Sequence, residues 1–364
     1  MKIDFANLRV AYDRHKEEFD KAIHDVISSA SYIMGPEIQV FEDKLASYTG
    51  SSHALTCSSG TDALLLALMS LDIKNGDEVI TSPFTFISTA ETIALLGAKP
   101  VFVDIKEDTY NIDTKKIEDK ITKNTKAIIG VSLFGQVADM NELNLIAKKY
   151  NLSIIEDAAQ SFGATYHGKK SCSISKLACT SFFPSKPLGC FGDGGAVFTN
   201  DESLHKKMAS IRLHGQIKRY EHSFIGLGAR MDTLQAAILN VKMDYYNDDI
   251  KNRQRVANKY TELLKNHIQT PIINPNKESV WAQYSIQVKN RNLVQKKLNA
   301  KNIPTAIHYP KPLHLQKCFE YLGYKKGDLP VSERVSNNII SLPMNPYISD
   351  DEINYIVKEL TVIL

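Results

Sequence analysis

The chain has 364 residues, of which 43% are hydrophobic and 23% charged, and 44 basic against 41 acidic side chains leave a formal charge of +3. These proportions suit a soluble globular protein and argue against disorder as the main state; so small a basic excess gives no electrostatic footing for a nucleic-acid partner. Five cysteines (Cys57, Cys172, Cys179, Cys190 and Cys318), odd in number and without a C-x-x-C pair, predict reduced thiols in a cytoplasmic protein rather than a disulfide framework or a zinc site.

The first residues hold no apolar core of signal-peptide length, and no run of about 18 apolar residues follows, so no membrane span is expected. From Tyr12 to Ala30 the apolar residues Phe19, Ala22, Ile23, Val26 and Ile27 recur at helical spacing. A second helix opens at Pro36 and closes at Gly50. Then the period changes: "HALTC" reads as a strand, and "TDALLLALMSL" is apolar nearly all round, the mark of a buried helix. "DEVITSP", "KPVFVDI", "KAIIGVSLFG" and "LSIIEDAA" are further short strands, separated by helical stretches such as "TAETIALLG" and "MNELNLIAKKYN". Such alternation predicts an α/β fold with a mostly parallel sheet and helices on both faces. From about Asn247 the character shifts to a charged amphipathic helix, "DDIKNRQRVANKYTELLKNH", a strand in "SVWAQYSIQV", and a closing helix near "DDEINYIVKELTVIL". The expectation is a large domain over 1–248 and a smaller C-terminal α+β domain over 249–364.

Three stretches carry chemistry. "SSGTDALLL" (58–66) is a small-residue turn entering a buried helix; Gly60 and Thr61 there suit either a phosphate at a helix N-terminus or an ordinary N-cap. Asp157 follows an apolar strand, where a carboxylate faces the crevice at the sheet's carboxyl edge unless it caps a helix or is a structural acid. Lys186 lies in "SFFPSKPLGCFGDGG", where flanking prolines argue against a regular helix or central strand, so it is either a lysine in a shaped loop or an ordinary solvated surface lysine. Its glycines match neither G-x-G-x-x-G nor G-x-x-x-x-G-K-[ST], which argues against a nucleotide loop and an NAD-linked dehydrogenase. A phosphate-binding turn, a strand-end carboxylate and a loop lysine are together what pyridoxal 5′-phosphate requires: an anchor, a partner for the ring nitrogen, and a Schiff-base amine.

Over essentially its whole length the chain resembles the DegT/DnrJ/EryC1/StrS sugar-nucleotide aminotransferases. The resemblance rests on "YIMGPEIQVFEDKLASYTG", "SSGTDALLLAL", "GDEVITSPFTFISTAETI", "EDAAQSFGA", "SFFPSKPLGCFGDGGAVFTN", "RMDTLQAAIL" and "HYPKPLHLQ" in order. It implies the type I aminotransferase fold and a homodimer with shared active sites. It implies Lys186 as the cofactor-bearing lysine, Asp157 at the ring nitrogen, Gln160 near the ring oxygen, Phe86 stacked on the ring, and Gly60, Thr61 and Ser181 at the phosphate. It also implies a two-stage transamination with glutamate as donor. One departure stands out: where the family often has Asn two residues before the Arg of N-x-R-M-D, reaching the neighbouring subunit's phosphate, this chain has Gly228.

Relatives acting as dehydratases have His in place of Lys186, and regulators on this fold would show an added DNA-binding domain, so an enzyme is expected. The wording around Lys186 and "HGQIKRY" is most similar to 3-aminotransferases of UDP-2-acetamido-2-deoxy-3-oxo-glucuronate, which serve O-antigen synthesis; the alternative is a dTDP-3-oxo-6-deoxyhexose 3-aminotransferase. A uronate calls for a cation, for which Arg230 is the candidate unless it pairs with Asp232, and His308 and Tyr309 are candidates for the sugar pocket.

Overall fold

Short runs rich in Val, Ile and Ala form the strands, and the structure, a computed structural model, describes residues 3–364; the first two positions of the predicted large domain lie outside it. Seven strands make the central sheet: β1 (His53–Cys57), β2 (Glu78–Thr81), β3 (Lys99–Phe102), β4 (Thr125–Val131), β5 (Ser153–Asp157), β6 (Leu177–Ser181) and β7 (Gly195–Thr199). Their spatial order is β1-β7-β6-β5-β4-β2-β3. All neighbours from β3 to β6 pair in parallel, whereas β7 runs antiparallel to both β6 and β1.

Helices cover both faces, as a mostly parallel sheet demands. Alternate strand residues divide between them. Leu55, Ile129, Ile155 and Val197 pack under the helix Gly60–Ser70, while Ile80, Ile128 and Ile154 meet Met140, Leu143 and Ile146 from the helix Met140–Tyr150. The all-round apolar reading of residues 61–71 holds: Ala63, Leu64, Leu66, Ala67 and Leu68 are all buried.

The structure departs from the sequence expectation in three places. The helix expected over Tyr12–Ala30 is divided into Leu8–Arg14 and Lys16–Ser29, because His15 leaves helical geometry at φ −128° and stacks on Tyr245 with ring centroids 3.5 Å apart. The glycine- and proline-rich stretch around Lys186 predicts no strand, yet β6 and β7 flank it. The charged helix expected from 248 begins much earlier, as one helix of 32 residues, Thr233–Leu264. It crosses position 248 unbroken, so the expected division falls inside it. Its first half packs with Phe41 and Phe182 through Leu239 and Tyr246. Its second half gives Val256, Tyr260 and Leu264 to a separate core with Trp281, Tyr284, Ile286, Leu342 and Ile356, which Ile3 also joins. That smaller core is built on the antiparallel pair β8 (Tyr284–Gln287) and β9 (Ile339–Leu342). It is flanked by Arg291–Asn299 and by Asp350–Ile363, the latter opened by a Ser349–Glu352 capping box. Among the described residues no helix is long and apolar enough to cross a membrane.

Candidate active site

The carboxyl ends of β1, β5 and β6 and the entry of β7 converge on one cavity of about 490 Å³. Register explains the convergence: Gly195, the first residue of β7, sits opposite both Cys57 and Ser181. A Cβ at Gly195 would lie 2.3 Å from the Ser59 carbonyl oxygen, and one at Gly60 would lie 2.7 Å from Ser181 Cβ. Only glycine at both positions lets the turn after β1 close onto the ends of β6 and β7.

That turn opens the helix Gly60–Ser70. Ser59 is its N-cap, with Oγ accepting from the Asp62 amide at 3.1 Å. The amides of Gly60 and Thr61 fall in the first turn, where no intrahelical acceptor exists, and both residues line the cavity with Ser181. The Thr61 and Ser88 hydroxyls lie 2.8 Å apart.

Asp157 closes β5 and is only 6% exposed. Its Oδ2 accepts from the Thr89 hydroxyl at 2.7 Å and its Oδ1 from the Ala159 amide at 3.2 Å. Burial pushes its carboxyl above the ordinary value, against the pull of those donors and of the Lys186 charge. Among the described residues it has no ion-pair partner. A carboxylate this buried, with lone pairs left over, is poised for a cationic ring N–H.

Lys186 sits in the loop Phe182–Gly194 between β6 and β7, in neither helix nor strand, as its flanking prolines predict. Its amide donates to the Phe183 carbonyl at 2.8 Å. The side chain is half-buried and lines the same cavity as Asp157. Burial pulls its amine below the ordinary lysine value, and Asp157 opposes the shift. No hydrogen bond or ion pair occupies Nζ among the described residues, which leaves it free for chemistry.

The opposite wall joins both cores. Gln160 accepts from the Phe134 amide at 2.7 Å through Oε1 and donates to the Tyr309 hydroxyl at 3.1 Å through Nε2. The Tyr309 phenol is pushed up by burial and by Asp157. Its ring lies 6.3 Å from that of Phe86, which is 56% exposed at the cavity mouth. His308 contacts Ser341 Oγ through Nδ1 at 3.0 Å, and burial with the nearby Lys186 charge brings its ring down to about 4, so it is neutral at physiological pH.

Thus Lys186, Asp157, Gly60, Thr61, Ser181, Gln160, Phe86, His308 and Tyr309 share one cavity. Arg230 does not line it: its side chain is exposed and makes no ion pair with Asp232. Gly228 packs on His214, whose Cε1 would lie 2.9 Å from a Cβ there. Sequence reasoning missed Thr89 and Gln283, both in the lining. A hydroxyl beside a helix start was the only signal for Thr89; nothing marked Gln283.

Pyridoxal phosphate fits this chemistry. The helix end suits a dianion, and among the described residues Asp157 makes no ion pair and the Lys186 amine no hydrogen bond. The sequence profile described as the DegT/DnrJ/EryC1/StrS aminotransferase family matches residues 13–361. The chain is 49% identical over 360 residues to the UDP-2-acetamido-2-deoxy-3-oxo-D-glucuronate aminotransferase of Pseudomonas aeruginosa, covering 99% of each. It is 43% identical over 357 residues to the dTDP-3-amino-3,6-dideoxy-alpha-D-galactopyranose transaminase of Aneurinibacillus thermoaerophilus, covering 98% of each. A Bacillus subtilis structure with bound cofactor PMP superposes with a TM-score of 0.92 at 30% identity, covering 100% of this chain and 85% of that one.

Proposed function

The chain belongs to the DegT/DnrJ/EryC1/StrS aminotransferase family, whose fold and PLP-dependent transamination of nucleotide-linked keto-sugars it shares, and on that premise we propose that it aminates UDP-2-acetamido-2-deoxy-3-oxo-glucuronate at C3 with glutamate as donor. The observation that carries the chemistry is the buried Asp157 carboxylate, without an ion pair among the described residues, sharing a cavity with the Lys186 amine.

Bound there, pyridoxal phosphate supplies a conjugated ring that takes up the electron pair left when a C–H bond breaks. The first-turn amides of Gly60 and Thr61, the positive helix end and the Ser181 hydroxyl hold the phosphate. Thr89 and the Ala159 amide favour the ionised form of Asp157 against burial and aim it, so that it can hold the proton on the ring nitrogen. Gln160, fixed by the Phe134 amide, orients the ring oxygen, and Phe86 covers one ring face. Lys186 Nζ moves the proton: it takes one from the α-carbon of the donor and later delivers one to C3 of the sugar. Burial favours its neutral form, which is the form able to accept a proton.

The substrate assignment is supported by the 49% identity to the Pseudomonas enzyme across both full lengths. In this reading His308 and Tyr309 contact the sugar. Arg230, exposed and outside its own cavity, meets the uronate carboxylate across a homodimer interface. The product serves surface-polysaccharide (O-antigen) synthesis in the cytoplasm. The second reading, a dTDP-3-oxo-6-deoxyhexose, draws on the 43% identity to the Aneurinibacillus enzyme. Glutamate with a panel of nucleotide 3-keto-sugars, products read by mass and NMR, separates them. Turnover of the 6-deoxyhexose but not the uronate overturns the first reading. Lys186→Ala is expected to abolish cycling between the two cofactor forms by absorbance; wild-type cycling refutes its role.

A further inference from the structure

The loop Phe182–Gly194 is held to the long helix Thr233–Leu264 at two levels. The Phe191 amide donates to Gln235 Oε1 at 2.9 Å. Seven residues on, Lys242 Nζ donates to the Gly189 carbonyl at 2.5 Å and lies 4.9 Å from the centre of the Phe191 ring. Seven residues are about two helical turns, so Gln235 and Lys242 share one face, roughly 10 Å apart. The loop is folded tightly between these ties: a Cβ at Gly189 would lie 2.5 Å from the Pro184 carbonyl oxygen and 2.7 Å from that of Phe183. The Phe183 carbonyl is the acceptor of the Lys186 amide. Lys242 therefore fastens the same folded loop that carries Lys186.

We propose that Lys242 is a positioning residue for Lys186, holding the Lys186 loop to the long helix through the Gly189 carbonyl and the Phe191 ring. The charge is held there against desolvation: burial brings the amine down to about 8, opposed by Cys190 and Asp249 and reinforced by Arg253. Lys242 does not line the cavity that holds Asp157; it shares a second cavity with Lys186, Pro187, Leu188 and Gly189. Because helix Thr233–Leu264 continues into the smaller core, Lys242 refers the position of the reactive amine to an element packed against Ile340 and Leu342 of β9, the strand whose Ser341 contacts His308.

The inference rests on Lys186 being the reactive amine, and the test separates the two claims. In the apo protein, Lys242→Met is expected to speed hydrogen exchange of the amides of Lys186 and Cys190 by roughly tenfold. On adding pyridoxal phosphate, its long-wavelength absorbance band forms about tenfold more slowly; kcat falls by a similar factor while the donor KM stays within about twofold. Lys242→Arg, which keeps a charged donor, restores most of both losses. Lys44→Met is the control, since Lys44 Nζ donates to Asn240 O of the same helix at 3.0 Å without touching the loop. Should Lys242→Met not fold, Lys242→Gln and Gln235→Met carry the same test. Wild-type exchange and band formation in Lys242→Met overturn the inference, as do equal losses in Lys242→Met and Lys44→Met. If Lys186→Ala remains active, the proposed function fails instead, whatever Lys242 does.

Discussion

Replacing Thr89 with Val removes one hydroxyl and almost no volume. Thr89 is 1% exposed, and its hydroxyl donates to Asp157 Oδ2 at 2.7 Å. A hydrogen bond to a buried charge contributes about 1.5–3 kcal/mol, which is roughly one to two pKa units at 1.36 kcal/mol per unit. Only the Ala159 amide at 3.2 Å then remains on the carboxylate. Burial already raises the Asp157 pKa above its unfolded value, so the folded protein holds a proton that the unfolded chain has released, and stability falls as pH rises through that window. Thr89→Val raises the folded pKa further and widens the window upward. Once the pyridinium binds, the ionised carboxylate is what holds it, so the acid-side loss of cofactor affinity moves to higher pH by about one to two units. The assay is pyridoxal phosphate affinity from pH 4 to 8, followed by absorbance, with thermal unfolding of the apo protein at the same pH values. A folded Thr89→Val protein whose acid midpoint stays in place, or moves down, refutes the assignment of Thr89 as a donor that favours the ionised form of Asp157.

Three further outcomes follow from the structure. Glu42 and Arg212 form a buried pair at 2.7 Å that also engages Thr56 at the end of β1; Glu42→Gln is expected to cost about 3–5 kcal/mol by leaving the guanidinium uncompensated, read by urea unfolding, and a loss below 1 kcal/mol contradicts this. Gly195→Ala puts a Cβ 2.3 Å from the Ser59 carbonyl oxygen, so the turn must shift; a loss of about 1–3 kcal/mol is expected together with weaker cofactor binding, and an unchanged thermal midpoint contradicts the packing argument. The His308 ring, brought down to about 4, stays neutral from pH 5 to 8. Because the unfolded chain binds its proton up to about 6.5, His308 adds stability as pH rises from about 4 to 6.5 and none is gained above that; an NMR midpoint near 6.5 contradicts its burial.

The site's core was legible because its signals are local. A glycine and hydroxyl residues open an all-round apolar helix, a carboxylate ends an apolar strand, and prolines bracket a lysine; each feature needs only a few neighbouring residues. What the sequence hid depends on distant partners. β7 begins in a glycine-rich run that reads as loop, yet Gly195 is required by the Ser59 carbonyl across the sheet, not by any turn. Thr89 looks like an ordinary helix-start residue, and its partner lies 68 positions away. The break at His15 comes from Tyr245, on a helix that periodicity had begun too late. Helical period and strand length are written in short windows; closure of one element on another is not.

Because β7 returns beside β6 in the antiparallel sense, both feet of the Lys186 segment stand on the same edge of the sheet. A parallel return would have required a crossover of about a dozen or more residues, normally a helix on one face. Strand register thus fixes where the lysine segment leaves the sheet and where it returns, and Gln235 and Lys242 hold the stretch between. Insertion or deletion there moves the amine relative to Asp157, so this short return is expected to keep its length.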